Sequence, residues 1–296
     1  MTVPPPAAVP PALSPIARPS GGLAMVAIDQ RESLRAMFAQ HQDGPVSDGQ
    51  LTAFKVAATR LLSPHASAVL VDRQFALGPV LAEGAVAPGC GLIVAADRFL
   101  PDERELVAGA EIDEEVVPER VREHGAVALK LLIIWRPDEP PGPRVEMATR
   151  FVRRCRAAGL ISIIEPVSRK PRDGRAWDRE HGVLAAAREL GTLGADLYKA
   201  EVPLYGTGPE AEIRRRCAEL TETIASPWVV LSSGVPQDAF PRAVELACRE
   251  GASGFLAGRA VWRPVIGAPD IDAALRDDAV PRLRHLAAIV DSTVQR

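Results

Sequence analysis

Eight short apolar, β-branched runs, separated by stretches of helical periodicity, constrain this chain more than any other feature. They are Ala24–Asp29, Ser67–Asp72, Gly91–Ala96, Ala126–Trp135, Ile161–Val167, Ala195–Val202, Trp228–Ser233 and Ala252–Arg259. Near-continuous apolar character is what strands buried on both faces require. The segments Leu51–Leu62, Val145–Ala158, Arg179–Leu190, Glu210–Ile224 and Phe240–Glu250 are patterned as amphipathic helices. Such alternation implies βαβ units, and eight parallel strands fit a closed α/β barrel, the (β/α)8 TIM barrel, better than an open sheet. A length of 296 residues suits one such unit. Residues 1–13, rich in Pro and Ala, are expected to form a flexible tail, with a single barrel domain over 14–296. The stretch Asp278 to Val290 reads as a closing helix, with Pro281 tolerated in its first turn.

Nearly every run ends in a polar residue: Asp29, Asp72, Asp97 just past the third, Lys130 within the fourth, Glu165, Lys199, Ser233 and Arg259. In a barrel all strand C-termini open on one face, and that face holds the active site. Charge inside an apolar strand is costly unless paired or functional. Asp72 and Asp97 could equally cap the helices that follow them. Lys130 and Lys199 could not, because a lysine flanked by apolar strand residues caps nothing.

Lys199 lies in Asp-Leu-Tyr-Lys-Ala-Glu on the sixth run. A lysine becomes a nucleophile when burial or a neighbouring cation frees its amine, and Lys130 could lie across the same mouth. The alternative is a structural ion pair with Glu165 or Glu201. Glu165 ends its strand before Pro166 and could act as general acid/base or merely orient a lysine. Ser233 and Gly234 close the seventh run, Gly258 and Arg259 the eighth, where this fold commonly binds phosphate. The basic loop at 168–175 could guide an anion, or be an ordinary solvated loop.

Other chemistries find no support. A net charge of -3 and 4% aromatics argue against nucleic-acid binding. No apolar run approaches the roughly 20 residues of a membrane span, and the first 20 residues lack the makeup of a signal peptide, so a cytoplasmic location is expected. Cys90, Cys155, Cys217 and Cys248 have no CxxC spacing and are expected to be reduced. The histidines are dispersed and no GxGxxG follows the first run, so neither a metal nor a dinucleotide cofactor is expected.

Several segments together resemble the tagatose-1,6-bisphosphate aldolase family. They are Ala27-Ile28-Asp29-Gln30-Arg31, Leu197-Tyr198-Lys199-Ala200-Glu201-Val202-Pro203, Leu231-Ser232-Ser233-Gly234-Val235 and Gly258-Arg259-Ala260-Val261-Trp262. Leu62-Ser63-Pro64-His65-Ala66-Ser67-Ala68, Ser162-Ile163-Ile164-Glu165-Pro166-Val167 and Gly251 to Arg259 look closer still to the sulfofructosephosphate aldolases of sulfoglycolysis. The resemblance runs from about Ser14 to the C-terminus. It departs at Ala200, where valine is usual, and at His65, where tyrosine is common.

The resemblance implies a class I aldolase that needs no cofactor, with Lys199 as Schiff-base lysine and Glu165 as acid/base residue. Asp29, Gln30 and Lys130 would line the mouth, and Ser233, Gly234, Gly258 and Arg259 would hold a phosphate. The expected substrate is 6-deoxy-6-sulfofructose 1-phosphate, cleaved to dihydroxyacetone phosphate and 3-sulfolactaldehyde. A sulfonate is a monoanion suited to one arginine plus neutral donors, and Arg31 and Ser63 are the candidates. The alternatives are a tagatose- or fructose-bisphosphate aldolase, and a non-catalytic barrel that binds sugar phosphates. A homo-oligomer is expected by analogy.

Overall fold

The computed structural model describes residues 10–294. Eight parallel strands close into a barrel. They are β1 (Leu23–Ile28), β2 (Ala68–Asp72), β3 (Gly91–Ala95), β6 (Ala126–Trp135), β7 (Ile161–Ser168), β8 (Leu197–Glu201), β9 (Trp228–Leu231) and β10 (Gly254–Ala257). Between β3 and β6 an antiparallel hairpin is inserted, formed by β4 (Asp97–Leu100) and β5 (Gly109–Ile112). Each barrel strand pairs with its neighbour in sequence, apart from that insertion, and β1 pairs with β10 to close the ring.

Strand alternation explains the layering. Leu23, Met25, Ala27, Leu70, Ile93, Ala128, Ile163, Leu197, Val229 and Leu256 form one apolar cluster, which fills the barrel. Their sequence neighbours Ala24, Val26, Val69, Val94, Leu129, Ile164, Tyr198, Val230 and Phe255 belong to a second, larger cluster under the helices. Two residues past the inner apolar positions come Asp29, Lys130, Glu165 and Lys199, so the same parity turns these charges inward at the C-terminal end.

Both ends of the barrel are covered. At the top, Phe99, Val107 and Ala110 of the hairpin region pack on Leu132, Ile134, Val167 and Leu231. Below, a 3-10 turn at Pro11–Ile16 inserts Leu13 and Ile16 into the inner apolar cluster, both essentially without exposure. The expected tail boundary at residue 13 therefore falls inside a structural plug, while residues 1–9 lie outside the described region. Burying two such side chains contributes roughly 1.5–3 kcal/mol each, which outweighs the helix-averse composition around them. Beside the plug, Arg18 grips Asp291 through two bonds of 2.8 and 2.7 Å, joined by Ser20 at 2.5 Å.

The helix Arg179–Leu190 has the expected bounds. The closing helix runs Val280–Val294, preceded by a π-helical turn at Leu275–Ala279, with Pro281 in its first turn.

Candidate active site

Lys130, 1% exposed, is the hub of the barrel mouth. Its Nζ lies 2.6 Å from Asp29 Oδ2, 2.9 Å from Asp97 Oδ2 and 3.1 Å from Glu165 Oε2. The other oxygen of Glu165, Oε1, is 2.9 Å from Lys199 Nζ. One carboxylate thus bridges two ammonium groups. Burial alone would lower the Lys130 pKa, but Asp29, Asp97 and Glu165 outweigh it and hold the group well above its ordinary value. Burial would raise the Asp29 carboxyl, but Lys130 and Lys199 pull it well below the carboxylate range. Glu201 is engaged elsewhere, accepting from Ser168 N at 2.7 Å and pairing with Arg179 at 3.3 Å. Among the described residues, Lys199 forms its ion pair with Glu165.

The adjoining wall comes from the ends of β9 and β10. Arg259 Nη2 donates to Ser233 Oγ at 2.5 Å, and the Ala260 amide donates to Ser232 Oγ at 3.4 Å. Burial, aided by Arg263 and Arg169, lowers the Arg259 pKa, against the opposing pull of Glu165. Ser232, Gly234, Arg259 and Arg263 border a cleft of about 530 Å³. Glycine is required at both loops. Gly258 runs so close to β1 that a Cβ would stand 2.4 Å from the Ala27 carbonyl oxygen. Gly234 has φ +76°, and a Cβ there would meet the Tyr205 ring at 2.5 Å. Gln30 lies beside Gly258, and its buried Oε1 has no hydrogen-bond partner among the described residues.

A family model described as DeoC/LacD family aldolase matches residues 23–264. The chain belongs to this family. It is accordingly a carbon–carbon lyase of the class I aldolase type. It is 27% identical over 275 residues to the tagatose 1,6-diphosphate aldolase of Listeria monocytogenes serotype 4a, covering 84% of this chain and 80% of that protein. It is 28% identical over 266 residues to tagatose 1,6-diphosphate aldolase 1 of Streptococcus pyogenes serotype M3, covering 82% and 81%. In fold it is similar to an archaeal fructose-1,6-bisphosphate aldolase, with TM-score 0.62, 17% identity and coverage of 95% and 98%. The fructose-bisphosphate aldolase of Slackia heliotrinireducens gives 0.60, 19%, 99% and 94%.

Of the residues singled out in the sequence of this family member, Asp29, Lys130, Glu165 and Lys199 converge in one network, and Ser233, Gly234, Gly258 and Arg259 in the adjoining wall. Arg31 reaches the same mouth, with Nη2 2.9 Å from Asp97 Oδ1 and its guanidinium 4.1 Å from the Phe99 ring centre. Ser63 does not. It precedes β2 and therefore sits at the opposite, N-terminal end of the barrel, where its hydroxyl donates to Ala85 O and accepts from Ala87 N. Its candidacy as a sulfonate ligand is withdrawn on that geometry. Two arginines of the basic loop have carboxylate partners, Arg172 in Asp102 and Glu139 of other segments, and Arg175 in Asp173 of the loop itself.

The two open aspartates separate. Asp72 caps the following turn at Phe75 N, 2.7 Å, and pairs with fully buried Lys55. Asp97 instead joins the lysine network. Lys55 escaped the sequence reading because it sits in a helix, yet a signal existed. The chain has four lysines, and Lys55, Lys130 and Lys199 are buried while the surface relies on arginine. Among the described residues, no group of three or more His, Cys, Asp or Glu is arranged to hold a metal ion. No described helix is long and apolar enough to cross a membrane.

Proposed function

We propose that this chain cleaves 6-deoxy-6-sulfofructose 1-phosphate into dihydroxyacetone phosphate and 3-sulfolactaldehyde through a Schiff base on Lys199. The observation that carries the mechanism is the 2.9 Å contact between buried Lys199 and Glu165. The Lys199 ammonium passes one proton to Glu165, and the amine so freed attacks the C2 ketone, a proton shifting from nitrogen to oxygen to form a carbinolamine. Glu165 donates a proton to the departing hydroxyl, water leaves, and the iminium serves as electron sink. Glu165, now a carboxylate, takes the proton from the C4 hydroxyl. The C3–C4 bond breaks, its electrons pass into the iminium to give an enamine, and the sulfoaldehyde departs. Glu165 returns that proton to C3, then takes one from the water that adds to the iminium, and the carbinolamine collapses to the ketone and the free amine. Lys130 remains charged throughout and fixes Asp29 and Glu165. No cofactor enters this scheme. Arg259, Ser233, Gly234 and Gly258 cradle the phosphate, as small residues and a guanidinium suit an anion.

Support for a sulfonate at the distal end comes from the sequence segments shared with sulfofructosephosphate aldolases and from Arg31. That guanidinium is buried at the mouth, and its Nε has no partner among the described residues. The second reading is a bisphosphate aldolase, favoured by the names of the tagatose 1,6-diphosphate relatives. The test is kcat/KM for sulfofructose phosphate and for tagatose 1,6-bisphosphate, side by side, with borohydride trapping of wild type and Lys199→Ala. A hundredfold preference for the sulfonate, about 2.7 kcal/mol, and an adduct lost in the variant are expected. A reversed preference moves the enzyme to bisphosphates. An adduct that persists in Lys199→Ala removes the mechanism.

A further inference from the structure

We infer that Asp97 determines specificity at the distal end of the substrate, by holding Arg31 in a charge-neutral pair that accepts a singly charged group and disfavours a doubly charged one. This rests on the reading that Arg31 meets the distal anion.

Asp97 has no solvent exposure and cannot swing aside. Its Oδ1 accepts from Arg31 Nη2 at 2.9 Å, and its Oδ2 accepts from Lys130 Nζ and the Leu132 amide, each at 2.9 Å. Three donors converge on one carboxylate, so its position is fixed. Arg31 is fixed in turn, with one edge on Asp97 and one face on Phe99. What remains for a ligand is Nη1 together with the buried Nε, neither of which has a hydrogen-bond partner among the described residues.

The charges of this wall cancel. Arg31, Lys130 and Lys199 stand against Asp29, Asp97 and Glu165. Of the surrounding cations, Arg73 pairs with Asp113 and Arg136 with Glu105, while Arg259 stands on the β9–β10 wall and is taken up by the proximal phosphate. A distal group therefore meets a guanidinium edge on a neutral background. Doubling the charge of that group at most doubles its attraction to Arg31, while the cost of removing it from water grows with the square of the charge, about fourfold. Its repulsion from Asp97 doubles as well. A sulfonate fits this balance and a phosphate dianion fits it poorly, a form of discrimination built from a repulsive element.

The test compares three substrates: sulfofructose phosphate, tagatose 1,6-bisphosphate and fructose 1-phosphate, which has no distal anion. In Asp97→Asn the sulfonate-to-bisphosphate ratio of kcat/KM should fall at least tenfold. A purely structural role through Lys130 would lower all three alike, and an unchanged ratio in folded Asp97→Asn overturns the inference. Should that variant fail to fold, wild type decides. A phosphate ester takes up its second proton near pH 6, whereas a sulfonate does not. Between pH 7.5 and 5.5 the bisphosphate should gain severalfold relative to the sulfonate, the shared proximal phosphate cancelling in the ratio. A ratio independent of pH overturns the inference. A wild type that prefers the bisphosphate at pH 7.5 would defeat the substrate assignment alone, since the shift in Asp97→Asn is read against wild type whichever substrate it favours.

Discussion

Glu165 meets Lys199 through a single carboxylate oxygen, Oε1, at 2.9 Å. Its second oxygen faces Lys130 at 3.1 Å, so the two edges of one side chain serve different lysines. A proton can move on the Lys199 side while the other edge anchors the group.

Glu165→Gln keeps the shape and removes that proton traffic. We expect kcat to fall by about 10²–10⁴, the usual contribution of a positioned acid/base, with phosphate binding retained. Steady-state kinetics beside inhibition by dihydroxyacetone phosphate would measure both. A kcat within threefold of wild type would exclude Glu165 from the chemistry.

Asp29 makes stability depend on acid. Its carboxyl is depressed below the ordinary 3.8 by Lys130 and Lys199, which overcome burial. A depressed group contributes stability that is present above the unfolded pKa and lost as the pH falls through the folded one. The thermal midpoint should therefore decline below about pH 4, and more gently in Asp29→Asn. Parallel acid profiles for the two proteins would contradict this.

Lys130 works at the other end of the scale. Three carboxylates hold it above its ordinary 10.5 despite burial. Its contribution is present below that value and is lost only as the pH rises through its elevated folded pKa, so it is constant across the neutral range. Lys130→Met leaves Asp29, Asp97 and Glu165 without their common partner. Breaking such a buried pair costs about 3–5 kcal/mol, measurable by urea unfolding. A loss under 1 kcal/mol would falsify the hub role.

Ser63→Ala is expected to leave every kinetic constant unchanged. The cost appears in stability, about 1–2 kcal/mol, because the amide of Ala87 and the carbonyl of Ala85 lose their partner. Selective damage to sulfonate turnover would reverse the placement argued from the fold.

The barrel was legible because each strand is buried on both faces and strand parity is rigid. Once Ala128 and Leu197 are read as inner residues, Lys130 and Lys199 must point inward too. The hairpin β4–β5 was not legible. Its strands are four residues each, and Asp97–Leu100 mixes two charges with two apolar residues, which gives no periodicity to read. Arg31 follows the first strand and so lies at the mouth, but its partner Asp97 is far away in sequence, and only pairing of β3 with β6 brings that carboxylate to Lys130. Ser63 failed for a related reason, since a residue before a strand lies at the foot of the barrel. At the plug, the Pro and Ala content masked two apolar anchors, Leu13 and Ile16.

The seam between β1 and β10, and the grip of Arg18 and Ser20 on Asp291, set an order of assembly. During synthesis β1 emerges first, yet one of its edges stays open until Gly254–Ala257 has been made, and the lower clasp waits for Asp291. Contacts that span nearly the whole sequence form late and slowly. A ribosome-bound chain halted before β10 exposes an unpaired strand edge, which makes the nascent form, rather than the finished enzyme, the species that needs protection from aggregation.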